Sequence, residues 1–85
     1  MDLKGGDTVD AYKIGKRLIE LRGGRTQREI SREVGTSVSA IGMYERGERI
    51  PRDEIKVKLA RLYKRTVDEI FYAENDTDSV ESVTA

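Results

Sequence analysis

The 85-residue chain has no cysteine and no histidine, and it carries a single proline and a single phenylalanine. Without thiols or imidazoles there is no disulfide framework, no Cys/His zinc site, no thiolate nucleophile and no imidazole acid–base catalysis. A hydrolase or redox role is disfavoured, so no catalytic residue, no metal site and no cofactor is expected. Long apolar runs are also missing: none approaches the roughly 20 residues of a membrane span. Residues 1–7 lack the basic-then-apolar layout of a signal peptide. A cytoplasmic chain with no membrane partner is expected. At this length one domain with a modest core is possible, leaving little room for a separate ligand-sensing module.

Net charge is likewise absent, with 16 basic residues matched by 16 acidic ones. The balance is uneven along the chain. Residues 13–65 hold 15 Lys/Arg against seven acids, a segment charge of +8, while Asp68, Glu69, Glu74, Asp76, Asp78 and Glu81 follow with no base among them. The total therefore conceals a central segment suited to a polyanion.

With one proline and no strand-like alternation, helices are the better assignment, punctuated by glycine and Ser/Thr signals. A first helix is expected over 9–22, capped by Asp7 or Thr8, with Ile14, Leu18 and Leu21 on one face and Gly23-Gly24 ending it. Thr26 and Glu29 form a T-x-x-E capping box that opens a short second helix, with Ile30 and Val34 inward and Gly35 as a left-handed stop. Ser37 caps a third helix running to Arg46, with Ile41 and Tyr44 inward and Gly47 terminating it. Pro51 suits the first turn of a fourth helix, whose Ile55, Leu59 and Leu62 form a stripe able to face that of the first. A second T-x-x-E box, Thr66 with Glu69, starts a last short helix that lays Phe71 and Tyr72 on the core. The expected organisation is an arm over 1–8, a domain over 9–72 and an acidic tail over 73–85. Residues 74–85 are too polar to repay their ordering entropy and are expected to stay disordered.

The informative stretch is 27–47, QREISREVGTSVSAIGMYERG, two short helices separated by a tight glycine-containing turn. With Val38 at 0° and about 100° per residue, the inward pair Ile41 and Tyr44 averages about 270°, so the opposite side of the third helix centres near 90°. Ser39 and Arg46 lie there, Gly42 and Met43 fall within about 50°, and Val38 sits at the edge. Such a narrow ridge of small residues ending in an arginine suits a major groove about 12 Å wide.

These residues resemble the helix-turn-helix of the phage Cro and CI repressor-like, or Xre, family. The matches are Thr26-Gln27, Ile30, Ser31, Val34, Gly35, Ser37, Ile41 and Tyr44-Glu45-Arg46-Gly47. Ile50-Pro51, Leu59-Ala60-Arg61-Leu62-Tyr63 and Thr66-Val67-Asp68-Glu69-Ile70-Phe71 look like the family's fourth and fifth helices, so residues 11–72 are covered. Ser31 replaces a more usual alanine, Thr36 an apolar turn residue, and the 22–26 turn is shorter than is common. The recognition face lacks the Gln, Asn or Lys side chains that many relatives direct at bases. The resemblance implies an all-α, compact five-helix repressor-like DNA-binding domain with its helix-turn-helix in helices 2 and 3.

It also implies roles. Thr26 and Gln27 open the helix that meets a phosphate through the Gln27 side chain and free backbone N–H groups. Ser37 caps the recognition helix, while Val38, Ser39 and Met43 meet base edges, the apolar pair against thymine methyls. Gly42 is a point of close approach to DNA. Arg46 and Arg52 suit phosphate or minor-groove contacts, with Arg49 assisting. Glu45 looks structural, and Arg17 of the first helix is its candidate partner. Together these imply a sequence-specific regulator of double-stranded DNA, a repressor that binds an inverted-repeat operator as a homodimer in the nucleoid. An antirepressor or other protein partner would supply control. The competing class is an interaction module, such as an antitoxin or bridging factor, which the acidic tail suits.

Overall fold

The computed structural model describes residues 10–73. Four helices, α1 (Ala11–Arg22), α2 (Gln27–Val34), α3 (Val38–Arg46) and α4 (Asp53–Tyr63), are followed by one π-type turn, Asp68–Tyr72. All regular structure among the described residues is thus helical. The expected arm, Val9 and residues 74–85 lie outside them.

Local capping accounts for most of the boundaries. The Thr26 hydroxyl accepts from the Glu29 N–H at 3.0 Å while Glu29 Oε1 accepts from the Thr26 N–H at 2.9 Å, so the capping box is closed in both directions. Ser37 Oγ accepts from the Ala40 N–H at 3.0 Å and starts α3. Gly35 (φ 73°) and Gly47 (φ 77°) end α2 and α3 in the left-handed region, where a Cβ would be strained. The second box also closes, with Thr66 and Glu69 exchanging bonds of 2.8 and 3.0 Å.

Two starts differ from expectation. The cap of α1 is neither Asp7 nor Thr8 but Asp10, whose carboxylate accepts from the Tyr12 and Lys13 N–H groups at 3.0 and 3.2 Å. Pro51 does not sit in the first turn of α4. It lies two residues before Asp53 with its side chain fully buried, and Arg52 occupies the cap position without a side-chain bond.

One core gathers Ile14, Leu18, Ile30, Val34, Ile41, Tyr44, Ile55, Leu59, Tyr63, Ile70 and Phe71 from every element. The stripes of α1 and α4 do not mainly face each other. Helix α1 packs chiefly on α3 and the π turn, and α4 on α2. Leu21 and Leu62, expected inward, are only partly buried at the margin. Phe71 is buried as expected, whereas the Tyr72 ring is half exposed, held by a 2.6 Å bond from the buried Lys56 Nζ to its hydroxyl. The Lys56 ammonium also lies over the Tyr72 and Phe71 rings at 4.8 and 5.7 Å, so one cation clamps α4 to the π turn.

Gly15 sets the α1–α3 crossing. A Cβ there would overlap the Glu45 carbonyl oxygen and come within 2.9 Å of the Tyr44 carbonyl oxygen, both of them backbone. Mid-helix alanine would gain about 1 kcal/mol in propensity over glycine, but neither backbone can yield without moving its helix. Gly15→Ala is therefore expected to destabilise the fold by about 2 kcal/mol, lowering the melting temperature by about 10 °C. Thermal circular dichroism checks this, and a raised midpoint would show that the crossing is looser than described.

Candidate nucleic-acid interface

The buried Glu45 carboxylate organises the surface around α3. Arg22 Nε donates to Oε2 at 2.7 Å and Arg22 Nη2 to Oε1 at 3.1 Å, while Gln27 Nε2 donates to Oε1 at 2.8 Å. The carboxylate is 4% exposed and its guanidinium partner 21%. Hydrogen bonding to Glu45 raises the Arg22 pKa further above its already high ordinary value, so the guanidinium remains a cation. The remaining Arg22 nitrogen, Nη1, holds the Arg25 carbonyl at 2.9 Å and so fixes the tight turn into α2.

Glu45 thus has its basic partner in the first helix, but that partner is Arg22 and not Arg17. Arg22 lies seven residues after Gly15, within about 20° of it on the helical wheel, and so projects on the face that meets α3. Arg17 lies about 200° from Gly15. Its guanidinium instead donates to the Ile70 and Ala73 carbonyls at 2.6 and 3.2 Å, satisfying the end of the π turn.

Gln27, expected at a phosphate, is partly buried and oriented by Glu45. That bond engages one Nε2 hydrogen and leaves the other. The capping box uses the Glu29 and Thr26 N–H groups, which leaves those of Gln27 and Arg28 in the first turn of α2 outside it.

On α3 the wheel assignment holds except at one position. Ala40, Ile41, Tyr44 and Glu45 are buried, Ser39 and Arg46 are exposed, Val38 is 41% exposed and Met43 is intermediate. Gly42, expected as an open point of close approach, is buried. A Cβ on it would lie 3.0 Å from Arg46 Nη1, so the Arg46 guanidinium folds back one turn and covers it. Arg46 is held there by Glu48, which accepts from Nε at 2.9 Å and from Nη2 at 3.2 Å. The pairing lowers the Glu48 pKa through the hydrogen bond from Arg46. Neither Glu48 nor its pairing was evident from the one-dimensional pattern. An acid two residues beyond a helix-terminal arginine is a faint signal. Arg49 and Arg52 are exposed on the segment that follows α3, at its far end from Ser37.

An exposed, narrow helix face, preceded by a tight turn and a short capped helix, is the arrangement of a helix-turn-helix. A family model described as Helix-turn-helix matches residues 16–70, which is most of the chain. The protein belongs to the Cro/CI-type, Xre-like helix-turn-helix family. No curated protein and no solved structure matches the chain. Membership in this family makes the helix-turn-helix protein a DNA-binding transcriptional regulator. None of the described helices is long and apolar enough to cross a membrane.

Two outcomes test the network. Arg22→Ala leaves a buried carboxylate without its cation and is expected to cost about 3 kcal/mol in urea unfolding. A loss under about 1 kcal/mol, as for an exposed pair, would contradict the burial of Glu45. The Tyr63 phenol, pushed up to about 12 chiefly by burial, with the Glu45 carboxylate adding to the rise, gives a pH signature. Its contribution is fully present below about pH 10, where the phenol is neutral in both states, and is lost as pH climbs towards about 12 because the unfolded chain ionises first. Tyr63→Phe is expected to flatten the fall of stability across that window.

Proposed function

We propose that the protein is a sequence-specific repressor that docks α3 in the major groove of an inverted-repeat operator, one half-site per subunit of a homodimer. The observation that carries this reading is the outward α3 face, where Val38 and Ser39 are exposed, Met43 is partly exposed and the Arg46 guanidinium lies back over Gly42. Val38 and Met43 then meet thymine methyls while Ser39 donates or accepts. Thr26 and Gln27 at the start of α2, Ser37 at the start of α3, and Arg49 and Arg52 after it bracket this ridge along the chain, and their role is to fix register on phosphates.

Two half-sites about one helical turn apart multiply a small set of base contacts, which is why a dimer suits a single domain. Occlusion of polymerase then suffices for repression. Control would rest on protein concentration or on an antirepressor or other protein partner, and the protein would reside with the nucleoid in the cytoplasm.

Selection of bound sites from random duplexes, followed by titration over a salt series, tests this. Affinity is expected to fall steeply with salt, each phosphate-bound cation contributing a slope near −0.9. Met43→Ala should alter the selected bases, whereas Arg52→Ala should weaken all sequences alike and flatten the salt slope by about 1. A flat salt dependence, or capture of a stoichiometric protein partner with no duplex bound, would favour the interaction-module alternative.

A further inference from the structure

We infer that Arg46 reads a guanine and that Glu48 is its positioning residue, an inference that rests on the duplex-binding reading above. Arg46 is the only cationic side chain on the exposed α3 face, and its guanidinium does not extend away at the helix end. It lies one turn back, over Gly42, with Nη1 3.0 Å from where a Cβ would be. The charge is therefore planted in the middle of the ridge, next to Ser39 and Met43 on the wheel, in the space that the missing side chain of Gly42 leaves.

The mode of pairing decides what this guanidinium can do. Glu48 takes the side edge, through Nε and Nη2, with bonds of 2.9 and 3.2 Å. The end edge, formed by Nη1 where it lies against Gly42 and by the second Nη2 hydrogen, is not used by Glu48 and keeps two donors in a fork. That fork matches the paired O6 and N7 acceptors which, in the major groove, only guanine presents side by side. Meanwhile the Glu48 carboxylate offsets the arginine's charge, which weakens attraction to a phosphate anywhere on the duplex but leaves the directional bonds to a base edge intact. A bare, extended arginine would gain affinity on every sequence. A paired one, fixed in plane, gains it where a guanine stands opposite.

The pair is exposed, 59% on Arg46 and 54% on Glu48, so neither side chain supports the core and both can be changed without unfolding the domain. The test selects bound sequences from random duplexes with the full chain, Arg46→Lys and Glu48→Gln, and measures affinity for the selected site, for its guanine-substituted variants and for an unselected duplex. The wild type is expected to require guanine at one position of each half-site. Arg46→Lys, which keeps the charge but loses the fork, should reduce the discrimination at that position roughly tenfold while the preferences elsewhere persist. Glu48→Gln should also relax the guanine preference, and should raise affinity for the unselected duplex with a salt slope steeper by about 1. Guanine preference that survives Arg46→Lys overturns the assignment of the reader. Unchanged selectivity in Glu48→Gln overturns the role of the carboxylate. If the wild type selects no duplex at all, the proposed function fails and takes this inference with it; selection of sites in which no guanine is required overturns this inference alone.

Discussion

A carboxylate removed from water requires partners, and the buried Glu45 side chain makes the helix-turn-helix a single body. Its two oxygens receive Arg22 from α1 and Gln27 from α2, while its own backbone carbonyl abuts Gly15. Three helices thus meet around one residue, through charge on one side and steric closeness on the other. Apolar packing holds helices together but tolerates small slides and rotations. A bidentate ion pair with an added amide does not, because each displaced bond leaves a buried polar group unpaired.

The rigidity matters because α2 and α3 are only 8 and 9 residues long. Helices of two turns have no independent stability, so the relative placement of Gln27 and the α3 face is set wholly by what lies beneath them. The same side chains serve fold and surface: Ser37 caps α3, Thr26 closes the box on α2, and Gln27 touches both the core carboxylate and the surface. Farther out, Arg17 and Lys56 tie the π turn back onto α1 and α4, each by satisfying oxygens of that turn or its ring hydroxyl. Cations that add to the +8 of the central segment in the sequence are in these two cases engaged internally. The count of basic residues therefore overstates what the surface presents, and the geometry decides which arginines remain available.

What lay open in the sequence alone was whatever acts over three or four residues. The two T-x-x-E boxes, the Ser37 cap and the glycines at 35 and 47 appear as expected because a cap or a left-handed stop depends on its own turn and little else. The inward stripes of α2 and α3 were legible for the same reason, since helical periodicity is local, and the outward face of Val38, Ser39, Met43 and Arg46 follows as their complement. Tertiary structure decided the rest. The local pattern pointed to Asp7 or Thr8 as the cap of α1, whereas the helix is capped by Asp10, and Gly47 lies so close to Tyr12 Cα and the Ala11 carbonyl that a Cβ there would clash, a contact that goes with the helix starting at Ala11. Arg17 and Arg22 look alike as partners for Glu45 until Gly15 fixes which face of α1 meets α3. The cover over Gly42 depends on the Arg46 rotamer, and that rotamer is held by a carboxylate beyond the helix end. Each of these is a choice between locally equivalent options, and only a contact with another part of the chain carries the energy to make it.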